Sequence, residues 1–239
     1  MSRTLVVLQP MFLPWLGFFE QVRLADVFLH YDDVQLSQGS SFMSRVQVQS
    51  AGSVSWLTAP IDRRKSGKLI TEVVLAKSED WRGKHLRTIR HAYARRPYFR
   101  LMFDLVENIY SQSTDQLAEF NITAIEQFAQ WLGLAPRFIR SSAIGVTGAG
   151  TERLVALCEA TNCNVYVTGH GAQNYLKHQQ FEERDISTRY MDYRKMRYDQ
   201  GNIEFNPFVS IIDAIANCGE HVRDLLCSDA VYWREFNVS

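Results

Sequence analysis

The chain of 239 residues is short of cysteine and proline and has no excess of either charge, and each shortage removes a class of protein. Four cysteines, Cys158, Cys163, Cys218 and Cys227, form no C-x-x-C pair and stand at no spacing from histidine suited to zinc. None sits beside a glycine turn or a nearby histidine, so buried free thiols are expected rather than nucleophiles. Lys plus Arg and Asp plus Glu number 26 each, and a net charge of zero supplies no global attraction to nucleic acid. The local basic runs, Arg63, Arg64, Lys65 and Lys68, then Arg87, Arg90, Arg95, Arg96 and Arg100, read as solvated faces. No apolar stretch approaches membrane-spanning length. Met1 leads into strand-like sequence without a basic region, an apolar stretch and a small-residue cleavage site, so a cytoplasmic protein without a membrane span is expected. G-x-S-x-G elbows, H-E-x-x-H helices and G-x-x-x-x-G-K-[ST] loops are absent too.

What is present is an α/β pattern. Residues 4–8 (TLVVL) are a short, β-branched apolar run, which suits a central strand covered on both faces. Gln9-Pro10 ends it, and Pro14 suits the first turn of a helix from Trp15 to about Leu24. A second strand at 26–31 (DVFLHY) completes a βαβ unit, whose first loop leaves the strand end where α/β sheets collect ligands. A hairpin is expected from 46–49 and 54–60 around Ala51-Gly52-Ser53, then a strand at 70–75. Helices follow at 81–94, capped by Asp80, at 99–110, and at 117–132, with Gly133 as the stop. Strands at 138–142 and 164–168 flank a helix at 152–160, and 190–206 is an aromatic, polar tail. Closing helices are expected at 209–216 and 222–226. The prediction is one domain over 1–239: a mostly parallel central sheet with Rossmann-like layering, a helical region at about 80–135 and a helical tail at about 207–239.

Two loops carry the candidate chemistry. The opening loop, QPMFLPWLGFF, holds Gln9, Pro10, Trp15 and Gly17, with the prolines fixing the backbone and Gly17 permitting a close approach. Either a rigid aromatic cap or a preorganised substrate site accounts for it. The segment HYDDVQ follows with His30, Asp32, Asp33 and Gln35. Strand alternation sends Asp32 and Asp33 to opposite faces, where they bind Mg2+ through waters or cap the next turn. His30 is a candidate general base, and Arg45 offers a planar fork for carboxylate or phosphate. The second loop is YVTGHGAQNYL. Gly169 and Gly171 flank His170 there and let backbone N–H groups face an anion, with Asn174 and Tyr175 as further donors. Trp81, Lys84 and His85 read as packing and surface groups, and capping accounts for Ser210 and Asp213.

These residues resemble the WbqC-like family, named for proteins associated with bacterial surface-polysaccharide gene clusters. The matching pieces are Gln9-Pro10, Phe12-Leu13-Pro14-Trp15, Gly17-Phe18-Phe19, Ala25-Asp26 and Tyr31-Asp32-Asp33-Val34-Gln35, then Trp56-Leu57-Thr58, Gly169, Tyr175-Leu176, Asn206-Pro207-Phe208 and Ser210-Ile211-Ile212-Asp213. Where the family shows W-x-N-R-N, this chain has Phe42-Met43-Ser44-Arg45-Val46 and keeps only the arginine. The order strand, Pro-rich loop, Gly, helix, strand also resembles the HUP-type nucleotidylyltransferases and pantothenate synthetase-like amide ligases, which bind ATP at a corresponding loop. Their paired histidines are replaced here by Pro14-Trp15 and Gly17-Phe18.

The resemblance implies an enzyme that transfers an acyl or aminoacyl group to an amine. Its substrate would be a small molecule, either an amino sugar, a nucleotide sugar or an amino acid. ATP with Mg2+ is a candidate cofactor, no protein metal site is assigned, and a homo-oligomer is compatible. In that reading Arg45 binds phosphate or carboxylate, His30 or His170 removes the amine proton, and Asp32 or Asp33 orients the base or holds Mg2+. Nucleotidyl transfer and a non-catalytic scaffold presenting Trp15, Phe18 and Phe42 are the alternatives.

Overall fold

The computed structural model describes residues 2–36, 42–50, 53–64, 66–77, 80–201 and 204–236, so Lys65 and the Ala51-Gly52 part of the expected turn lie outside the described residues. The chain begins with β1 (Thr4–Leu8), α1 (Leu16–Leu24) and β2 (Val27–His30), followed by the hairpin β3 (Arg45–Ser50) and β4 (Ser53–Thr58). Three helices come next, α2 (Trp81–Tyr93), α3 (Phe99–Tyr110) and α4 (Leu117–Trp131). After β5 (Arg137–Arg140) come the short α5 (Ser141–Ile144), α6 (Gly150–Ala160), β6 (Val165–Thr168), α7 (His178–Glu182), β7 (Ser187–Asp192), α8 (Ile211–Cys218) and β8 (Asp229–Tyr232).

One six-stranded sheet has the order β5-β2-β1-β6-β7-β8, parallel throughout except for β8. Its centre is apolar on both faces. Val6, Phe28 and Val167 join a core with Phe18, Phe19 and Val22 of α1 and with α3, α4 and α8. Leu5, Val7, Val27 and Leu29 face the other way, against Leu154, Leu157 and Cys158 of α6 and Phe181 of α7. This two-sided burial explains the unbroken apolar runs of β1, β2 and β6. Connection order reverses between β1 and β6, because β2 and β5 extend the sheet to one side while β6 and β7 extend it to the other. The mostly parallel, Rossmann-like sheet is therefore present, with a topological switch point at the carboxyl ends of β1 and β6.

Several expected elements differ. Residues 70–75 are not a strand. Ile70–Glu72 is a 3-10 turn, and its neighbourhood bonds to irregular partners, Ile70 N–H to the Val34 carbonyl, Thr71 N–H to that of Asp32 and Leu75 N–H to that of Asp115. The expected helix at 222–226 is a 3-10 run, Gly219–Leu225. Two strands were hidden: β7 alternates inward Thr188 and Tyr190 with outward Arg189, and β8 returns the tail to the sheet as its antiparallel edge.

Capping accounts for Ser210, whose hydroxyl accepts from Ile212 N–H, but not for Asp213. Asp213 is fully buried and accepts from the Tyr198 hydroxyl at 2.9 Å and the Asn217 amide at 3.3 Å. Burial pushes its carboxyl up to about 6, above the ordinary 3.8. Between about pH 4 and pH 6 the folded chain thus holds a proton that the unfolded chain has released, and stability falls as pH rises through that window by about 3 kcal/mol. Denaturant titrations should show this slope in the wild type and not in Asp213→Asn; a difference between the two proteins that does not vary with pH would refute the assignment.

Candidate functional site

The sheet's carboxyl edge gathers most of the residues singled out from the sequence. Parallel pairing of Leu8 with His30, and of His30 with Arg140, sets the ends of β1, β2 and β5 side by side, and β6 lies on the other side of β1. Helix α1 returns antiparallel to β1, so its first turn is at this edge as well.

The opening loop is mainly structural on its inner side. Phe12 and Leu13 are fully buried, and Phe12 stacks on Phe120 with ring centres 5.7 Å apart. Asn121 of α4, itself fully buried, donates to the carbonyls of Pro10 at 2.9 Å and Met43 at 2.7 Å, while Phe12 N–H donates to the Phe42 carbonyl. Segment 42–45 is thereby fixed against the loop. On the outer side Trp15 packs on Phe42 at 5.6 Å, Phe42 lies 6.3 Å from Trp56, and the Arg45 guanidinium carbon lies over the Trp56 ring, 4.0 Å from its centre. Phe42 and Trp56 remain over 40% exposed, and the Arg45 Nε is buried without an acceptor. A half-buried cation held on an aromatic face suits an anionic ligand through its remaining donors. Val46 points into the core instead, so the departure from the W-x-N-R-N pattern at that position changes packing and not the face that bears Arg45.

Gly17 does allow a close approach, but by the chain itself. An added Cβ would lie 2.8 Å from the Trp15 indole nitrogen and 2.9 Å from the Tyr193 ring. Burial and the nearby Glu20 carboxylate raise the Tyr193 phenol well above its ordinary value, against the opposing hydrogen bond from the Gly17 backbone. The first turn of α1, where a HUP-type phosphate would sit, is therefore covered by Trp15 and Tyr193, and this arrangement does not fit ATP there.

His30 is fully enclosed. It stacks on Phe138 at 5.6 Å, meets Phe28 edge-on and places Nε2 3.2 Å from Glu126. The ring expected to serve as a base is thus held by Phe28, Phe138 and Glu126, without access to solvent. Asp32 and Asp33 do not diverge as strand alternation requires, because β2 ends at His30 and the chain turns, with Asp32 N–H on the His30 carbonyl. Both carboxylates converge on the Ser141 hydroxyl, at 3.0 Å and 2.5 Å. Asp32 also accepts from Ser142 N–H at 3.0 Å and the Ser142 hydroxyl at 2.8 Å, and Asp33 pairs with Arg153, which lies over the Tyr31 ring. The two aspartates thus cap α5 and tie β2 to β5 and α6. Among the described residues no cluster of three metal-ligating side chains occurs.

Across the switch point, Gly169 follows β6, and His170 opens a 3-10 turn that contains Asn174, with Tyr175 just beyond. Tyr175 is 62% exposed and Asn174 is exposed as well. His170 is exposed, but its Nε2 lies 2.8 Å from the Met191 carbonyl. A carbonyl only accepts, so Nε2 carries the proton and Nδ1 the lone pair. Gln35 is exposed and bridges to Leu69 through its backbone. Sequence reasoning missed Gln21, which comes four residues after Gly17 on the same helical face and lies beside Gly169. It missed Ser141, Ser142 and Arg153 too; no local pattern marks them, since they meet Asp32 and Asp33 across 108 to 120 residues of chain.

The uncharacterized protein Rv1507c of Mycobacterium tuberculosis (strain ATCC 25618 / H37Rv) is 26% identical over 226 residues, which cover 94% of this chain and 97% of that relative. No solved structure matches. The profile of the WbqC-like protein family matches residues 9–224, from the opening loop to beyond α8, and the chain belongs to that family.

Proposed function

We propose that the chain is an acyl- or aminoacyl-transferring enzyme that forms an amide on an amino sugar or another small amine-bearing metabolite. The observation that carries this reading is His170: an exposed imidazole at the switch point, with its Nε2 proton committed to Met191, presents the Nδ1 lone pair that a base needs. Arg45 on Trp56 supplies the anion contact, for a phosphate or carboxylate of the substrate. The amine nitrogen attacks the donor's carbonyl carbon, the C–N bond forms as the bond to the leaving group breaks, and Nδ1 takes the amine proton. Because the first turn of α1 is covered, the acyl group is taken to arrive already activated, and no step is assigned to ATP. Asp32 and Asp33 hold the strand ends in place and have no role in proton transfer.

Mass spectrometry of mixtures of amino sugars with acyl-CoA, and with aminoacyl thioesters, tests the reaction. Amide product is expected in the wild type. His170→Ala should lower kcat by roughly 10²- to 10⁴-fold, whereas Arg45→Ala should chiefly raise KM. No product from any pairing would oppose the enzymatic reading. It would favour the non-catalytic alternative, which the exposed Phe42, Trp56 and Phe208 support as a docking surface for a biosynthetic assembly.

A further inference from the structure

The Gln21 side chain is only 6% exposed, its Oε1 is buried without a donor, and its amide makes no hydrogen bond among the described residues. An unpaired buried amide destabilises a fold, and an apolar side chain of the same shape would serve packing better. What lies over it is Gly169. A Cβ built there would stand 3.7 Å from the Gln21 Nε2 and 3.9 Å from Oε1, ordinary contact distances, and the Gly169 backbone is extended, with φ −87° and ψ 167°. Neither a turn nor a steric conflict demands glycine at that position. Its missing side chain leaves an opening onto the amide, beside His170 and at the point where the sheet's connection order reverses.

We infer that Gln21 is a substrate-binding residue whose amide oxygen accepts a hydrogen from the amine of the acceptor substrate, reached through the opening at Gly169. The inference rests on the amine-acceptor reading given above. It sharpens that reading by assigning one N–H of the amine to Gln21 and another to His170 Nδ1. The two amide atoms stand almost equally far from the Cβ position built at Gly169, 3.7 Å for Nε2 and 3.9 Å for Oε1, so the oxygen borders the opening without rotation of the amide or movement of the helix.

The test uses two variants and two measurements on the full chain. Gln21→Leu removes the amide at nearly constant volume, and Gly169→Val closes the opening. Without ligand, Gln21→Leu should melt at or above the wild-type temperature; a clear fall would show that the amide is structural and overturn the inference. Thermal shift is then measured with glucosamine 1-phosphate, UDP-glucosamine and free amino acids as probes. A shift in the wild type that falls at least tenfold in apparent affinity in both variants is the expected result. A wild-type shift retained in Gln21→Leu would overturn the inference and leave the amine-acceptor reading standing. No shift from any amine in the wild type would overturn both.

Discussion

Glu20→Ala should lower the unfolding free energy by about 3–5 kcal/mol, the range for removing one partner of a buried polar cluster. Glu20 lies on α1 with 1% exposure, and its Oε1 accepts from Cys227 N–H, Ser228 N–H and the Ser228 hydroxyl at 2.7–2.9 Å. Its Oε2 holds Arg23, which in turn donates to the Ser228 carbonyl. Alanine leaves two backbone donors and a hydroxyl buried without acceptors at the entrance to β8. Glu20→Gln keeps one acceptor oxygen and should lose about half as much. Urea unfolding of the three proteins decides the matter, and an alanine variant within about 1 kcal/mol of wild type would mean that water replaces the carboxylate.

Asp32→Ala should cost a similar amount, about 3–4 kcal/mol, for a different reason. Its carboxylate caps α5 through Ser142 N–H and takes both serine hydroxyls, so its loss leaves the start of α5 without its cap where β2 and β5 end. Ser141 keeps Asp33, and Asp33 keeps Arg153, so the damage is confined to one edge of the sheet. Hydrogen exchange should therefore quicken at Ser141 and Ser142 far more than in β6 or β7. A variant that loses activity while its stability and exchange stay at wild-type levels would return Asp32 to the reaction, against the arrangement described here.

Periodicity made the scaffold legible wherever burial is two-sided or follows a helical face. The run TLVVL, the apolar spacing of α3 and the Asp80 cap of α2 each correspond to the element formed, and Asp80 accepts from Gly83 N–H at 2.9 Å. Strand β7 escaped because an edge-proximal strand with one wet face carries Arg189 and Asp192 among its apolar residues. The stretch 70–75 misled for the opposite reason. Ile70, Val73 and Leu75 are buried, but against loops and α4, so their burial reports packing without a sheet ladder.

The site was legible as two loops and not as a set of roles. Strand ends locate Gln9, Pro10 and Gly169 on general grounds of α/β topology. Whether a histidine there is buried depends on what packs over it, and the Phe28 and Phe138 rings that enclose His30 belong to different strands. Asp32 and Asp33, singled out for their carboxylates, bond to Ser141, Ser142 and Arg153, partners that no local pattern announces. The amide of Gln21, with no chemical signature of its own, gained interest only from its missing partner.

The bonds between Glu20 and Ser228 span 208 residues of chain. During synthesis α1 emerges from the ribosome early, while the donors to its Glu20 carboxylate wait for nearly the whole remaining chain, and the β7 edge stays bare until 229–232 arrives to pair with it. Native closure of this domain is consequently a late event of translation, and a nascent chain stalled short of Ser228 would present an unpaired strand edge to whatever chaperone meets it.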